Sequence, residues 1–238
     1  MGPGAAGNGR CGDDDKEHPH AGNSITICLM SIAYSRRAFF GTVTGLAAMA
    51  PLGAQEKSPA WDLAWLDQFK GKHKQVFDFG AIELGEDSPL RLPNNYLNTF
   101  KDVFHQEPPE VNVAVGIAGS AFPINASDAL WEKFKIGEEW KINDPQTGKP
   151  ATRNVFMGRQ AEGPMPGVRS LVARGVVFWQ CNIAIGGISS RFARSSGIPV
   201  EKVRAEIVAG LNTGVKIVPA HSMAVGLAQE RGFTYMRP

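Results

Sequence analysis

Short β-prone runs recur along this chain, each parted from the next by a helical pattern, and this alternation constrains the fold more than any other feature. The runs are Val76-Phe77-Asp78-Phe79-Gly80, the stretch 111–118, Val176-Val177-Phe178-Trp179, Val215-Lys216-Ile217-Val218 and Phe233-Thr234-Tyr235. Between them apolar residues return at helical spacing: Tyr96, Leu97, Phe100, Val103 and Phe104 after Pro93, then Leu130, Trp131 and Phe134 after Ser127-Asp128. Further helices are predicted over 168–174, 189–194, 199–210 and 221–231, the last closed by Gly232. Strands alternating with helices build a parallel sheet, since each helix carries the chain back to begin the next strand in the same direction. The expectation is an α/β fold of three layers, a mostly parallel five-stranded sheet with helices on both faces. The run at 111–118 is almost unbroken in apolar content, as a strand covered on both faces requires.

The 238 residues, 43% hydrophobic and 20% charged, suffice for one well-buried domain. A net charge of +2, with no basic run interleaved with aromatics, gives no grounds for a nucleic-acid partner. Residues 1–54 read as an upstream extension plus a signal peptide. Ser35-Arg36-Arg37-Ala38-Phe39-Phe40 has the twin-arginine pattern, followed by a mildly apolar run and a small-residue exit at Leu52-Gly53-Ala54. That run falls short of the roughly 20 apolar residues a bilayer span needs, so no stable membrane span is expected. The address it predicts is periplasmic or otherwise extracytoplasmic; the competing reading is an amphipathic surface helix with a chance Arg-Arg pair. Cleavage after Ala54 removes Cys11 and Cys28 and leaves Cys181 alone, so no internal disulfide supports the domain. Residues 55–75 read as a linker and docking helix, with apolar positions at 61, 65, 66 and 69. Residues 76–238 form the domain, interrupted at 135–166 by a turn-rich excursion that is expected to lie, as a loop or hairpin, over a sheet edge or a site.

The chemistry concentrates after the third β-prone run. In open α/β sheets ligands gather beyond the carboxyl ends of the strands, and Cys181 falls at such an end, flanked by Trp179, Gln180 and Asn182. Gly186-Gly187-Ile188-Ser189-Ser190 then reads as an amide-lined cradle for negative charge, with Arg191 as a nearby cation. His221 follows Pro219-Ala220 at the end of the next strand, on the same rim, and a cysteine–histidine pair requires the two within hydrogen-bond reach. Plainer roles compete: Cys181 as a small buried hydrophobe, His221 as a helix cap, Trp179 as core or subunit interface. No G-x-G-x-x-G follows the first strand and no spacing supports a metal set, so no cofactor is expected.

Gly175-Val-x-Phe178-x-x-Cys181, then Gly214-Val215-x-x-Val218-Pro219, then Gln229-x-x-Gly232-Phe233-x-Tyr235 resemble the DsrE/DsrF-like sulfur-relay family in order and spacing. The resemblance covers roughly 76–235 apart from the excursion and is strongest from Leu171 onward. It implies a parallel α/β domain that assembles into trimers or hexamers. It also implies, for some relatives, sulfur carried as a persulfide on the cysteine at the position of Cys181, with a sulfur donor and acceptor or a small anionic ligand as partners. Many relatives have no known activity, so a non-catalytic oligomeric binding module is the alternative. The chain departs from the family in its export signal, in the excursion, and in having Ala118-Gly119 where many relatives place His-Gly.

Overall fold

The computed structural model describes residues 61–80, 89–158 and 166–237. The upstream extension, the signal peptide, residues 55–60 of the linker, residues 81–88 and residues 159–165 of the excursion lie outside the described residues. Five strands, β1 (His73–Phe79), β2 (Val111–Ile117), β3 (Val177–Cys181), β4 (Lys216–Val218) and β5 (Thr234–Met236), form one sheet in the order β4-β3-β2-β1-β5. Every pairing is parallel. All seven residues of β2 are buried, which explains its unbroken apolar run at the centre of the sheet.

The helices are α1 (Arg91–Phe104), the short α2 (Phe122–Asn125), α3 (Asp128–Lys133), α4 (Ile136–Glu139), α5 (Val168–Ala173), α6 (Asn182–Ser196), α7 (Val200–Ala209) and α8 (His221–Glu230). Strand side chains alternate between two cores because successive residues point to opposite faces. Phe77, Phe79, Val113, Val115, Ile117 and Phe178 pack with Leu97 of α1, Ile185, Ile188 and Phe192 of α6, and Val203 and Ile207 of α7. Val76, Ala114, Trp179 and Val218 face the other way, against Trp65 and Leu66 of a 3-10 turn (Ala64–Gln68) and Ala224, Val225 and Ala228 of α8. The three layers expected from the sequence are thus present. The chain leaves β3 toward one face through α6 and leaves β4 toward the other through α8. The starts of α6 and α8 therefore meet at the carboxyl ends of these two neighbouring strands, the end of the sheet where open α/β folds bind ligands.

One expectation is corrected. The helix after Cys181 starts at Asn182 rather than 189 and runs 15 residues. Gly186 and Gly187 weaken its local propensity, but Ile185, Ile188, Ser189 and Phe192 are all buried on one face at helical spacing, and that burial prevails. The described part of the excursion packs on the α6 side of the sheet. Ile136, Ile142, Ala151 and Phe156 insert into the α6-side core, whereas Cys181 shares the opposite side of β3 with Trp179. Among the described residues its hairpin character is confined to one antiparallel bridge, Asn143 to Pro150, around a turn in which Asp144 accepts the Gln146 N–H at 2.8 Å.

Candidate functional site

Cys181 is the last residue of β3 and the N-cap of α6. Its residue is 5% exposed, and its Sγ accepts the backbone N–H of His221, the first residue of α8, at 3.3 Å. An N–H at a helix N-terminus stabilises negative charge that develops on the group it faces. The sequence brings Cys181 and His221 together, as expected, but through the histidine backbone and not through its ring.

The His221 ring is held elsewhere. Its Nδ1 accepts the indole N–H of fully buried Trp179 at 3.2 Å, and an indole only donates. The ring proton therefore sits on Nε2, which donates to Asp78 Oδ1 at 2.6 Å. Asp78 also accepts the Gly80 N–H on Oδ1 at 2.6 Å and the Tyr235 hydroxyl on Oδ2 at 2.7 Å. Burial pushes the Asp78 carboxyl up, but the hydrogen bonds from Tyr235 and Gly80 and the adjacent His221 outweigh it and hold the carboxyl below its usual range. The same hydrogen bond raises Tyr235 above the ordinary phenol value, since ionising it would lose the donor to Asp78.

Register explains how residues so distant in sequence meet. Asp78 lies beside Gly116, and Gly116 beside Trp179, in one row across β1, β2 and β3. A side chain at Gly116 would collide with the Trp179 ring and lie 2.8 Å from His221 Cε1. One at Gly80 would lie 2.7 Å from His221 Nε2. The two glycines clear the space through which His221 reaches the carboxylate.

Beside this chain of hydrogen bonds lies an open pocket of about 340 Å³, lined among the described residues by Asp78, His221, Ser222, Val225, Gln229 and Tyr235. Ser222, Val225 and Gln229 project from one face of α8 at helical spacing. Cys181 is not among the lining residues; it sits behind His221.

The remaining predicted residues scatter. Gly186, Gly187, Ser189 and Ser190 lie inside α6, so their amides serve the helix and form no cradle; the Ser189 and Ser190 hydroxyls bond back to Ile185 and Gly186 carbonyls at 2.7 and 3.0 Å. Arg191, ten residues beyond Cys181 and so about 15 Å along the helix axis, is paired with Glu139 and lies 4.6 Å over the Trp140 ring. It is not the cation at the thiol. Asn182 accepts a hydrogen bond from Arg204 of α7, a guanidinium that the sequence did not single out. Asp78, Ser222, Gln229 and Tyr235 were also missed as site residues. Asp78 left a signal, a carboxylate within an apolar strand end; Gln229 and Tyr235 belong to the motif that carries the resemblance.

Among the described residues no group of three or more His, Cys, Asp or Glu is disposed to hold a metal, and no helix is long and apolar enough to cross a membrane. No family model matches the chain, and no curated protein matches it. Among solved structures it is similar to the protein of unknown function MTH1491 from Methanobacterium thermoautotrophicum, at 17% identity and a TM-score of 0.34, over 70% of this chain and 99% of that one.

Proposed function

We propose that this chain is an exported, self-associating sulfur carrier of the DsrE/DsrF-like kind that accepts a sulfur atom on Cys181. The observation that carries the reading is the 3.3 Å contact between Cys181 Sγ and the N-terminal amide of α8, at the carboxyl ends of β3 and β4. The Cys181 thiolate attacks the outer sulfur of a persulfide or of thiosulfate. A sulfur–sulfur bond forms at Cys181 as the donor's own sulfur–sulfur bond breaks, and the donor leaves as thiolate or sulfite. The amide stabilises the charge left on the persulfide.

Intact-mass measurement of the protein after thiosulfate or polysulfide treatment tests this. The expected result is a gain of one sulfur atom that Cys181→Ser abolishes. A protein that gains no sulfur from either donor, and whose folded thiol resists alkylation, is not a sulfur carrier. Light scattering of the same sample reads the self-association, for which a trimer or hexamer is expected, and N-terminal sequencing of protein recovered from the periplasm reads the cleavage site.

A second reading has its own support. With Cys181 only 5% exposed and the pocket lined by other side chains, a non-catalytic module that binds a small ligand at the Asp78–His221–Tyr235 pocket also fits the geometry.

A further inference from the structure

Asp78 places a carboxylate at the pocket wall, its side chain 15% exposed. No lysine or arginine lines the pocket among the described residues, and none is among the groups that act on Asp78. Arg237 bears on the Tyr235 hydroxyl instead. His221 meets Asp78 through a single ring N–H, and its other ring nitrogen is taken up by the Trp179 indole. A carboxylate has four acceptor positions. His221 and Gly80 fill those of Oδ1, Tyr235 takes one on Oδ2, and one is left. The side chains of Ser222 and Gln229 form no hydrogen bond within the described residues. Both groups donate as well as accept, so they satisfy a ligand's neutral polar atoms whichever way these point. Val225 supplies an apolar floor.

We propose that this pocket binds a small amine, its ammonium group on the open side of Asp78 Oδ2 and its remaining polar atom on Ser222 and Gln229. The proposal deepens the binding-module reading and is independent of whether Cys181 accepts sulfur. It also reverses the anionic ligand implied by the family resemblance, because a carboxylate in a pocket lined by no lysine or arginine among the described residues repels anions. The volume of about 340 Å³ sits at the small end of the range for ligand sites.

Three ligands of matched length and different charge test it: 3-aminopropanol, 1,3-propanediol and 3-hydroxypropionate, titrated into the full chain while the NMR signals of Tyr235 and Gln229 are followed. The amine is expected to bind about tenfold more tightly than the diol, as a hydrogen-bonded ion pair at a partly buried carboxylate allows. The acid should bind more weakly still. Asp78→Asn should bring the amine down to the level of the diol. Gln229 is exposed, so Gln229→Lys keeps the fold even if the Asp78 variant does not, and it should invert the order in favour of the acid. Equal affinities, no binding by any of the three, or an amine preference that survives either substitution overturns the proposal. Polysulfide loading of the same sample reads Cys181 separately: sulfur uptake without amine preference removes this site alone, and amine preference without uptake removes only the sulfur chemistry.

Discussion

At the scale of single residues, Asp78 is the group on which the site turns. It gathers three donors from three places, the Gly80 amide, the His221 ring and the Tyr235 hydroxyl. Its carboxyl, held below the usual range, binds a proton less readily in the fold than in the unfolded chain. The stability it contributes is therefore complete above the unfolded value of about 4 and is lost as pH falls through the lower folded value. Asp78→Asn should cost about 1–2 kcal/mol at neutral pH by weakening charged hydrogen bonds. The gap between variant and wild type should close in the acid range. Asp67 and Asp144, also held low by their arginine partners and hydrogen bonds, remain in both proteins, so the difference between the two curves isolates Asp78. Thermal melts at stepped pH check this; a gap that stays constant into strong acid means the carboxylate is not held as described.

At the scale of elements, what the sequence disclosed and what it hid divide along a physical line. Strands and helices were legible because burial writes a period into the chain: every residue of β2 is buried, and α6 buries Ile185, Ile188 and Phe192 on one face. The meeting of Cys181 and His221 was legible for the same reason, since Cys181 ends β3 and His221 opens the helix after β4. The cradle at 186–190 was misread because two adjacent glycines look like a loop until the helix partners that bury their neighbours are known. Asp78 meeting His221 was not legible at all, because it depends on register across three strands and on an absent side chain at Gly116. Register is a long-range property that no local pattern states. Gly116→Ala should therefore destabilise the fold by about 1–3 kcal/mol through overpacking. It should also displace Trp179 and with it the His221 ring. Gly119→Ala, where an added methyl meets nothing within 4 Å, should change stability by less than about 0.5 kcal/mol. Equal melting temperatures for the two variants would falsify the close packing assigned to Gly116.

At the scale of the whole molecule, the site is assembled by the last strand. β5 returns across the sheet to pair with β1 at its outer edge. It is short, and all three of its residues are exposed, so little of its own burial holds it there. What holds it is Phe233, 4% exposed and packed edge-on against Phe69 at 5.2 Å, together with the Gln75 side-chain amide and the Thr234 hydroxyl at the pairing seam. Removing residues 233–238 withdraws Phe233 from the α8-side core and Tyr235 from Asp78, and it bares the backbone edge of β1. Losing a buried phenylalanine costs about 3–5 kcal/mol, and an uncovered central-length strand pairs with other chains. The truncated protein should thus melt well below the full chain and associate further as concentration rises, seen by calorimetry and light scattering. Phe233→Ala should share the loss of stability but keep its β1 edge covered and its association unchanged. A truncated chain that melts with the wild type would mean that β5 decorates the sheet without closing it, and the pocket would then lack the wall that Tyr235 provides.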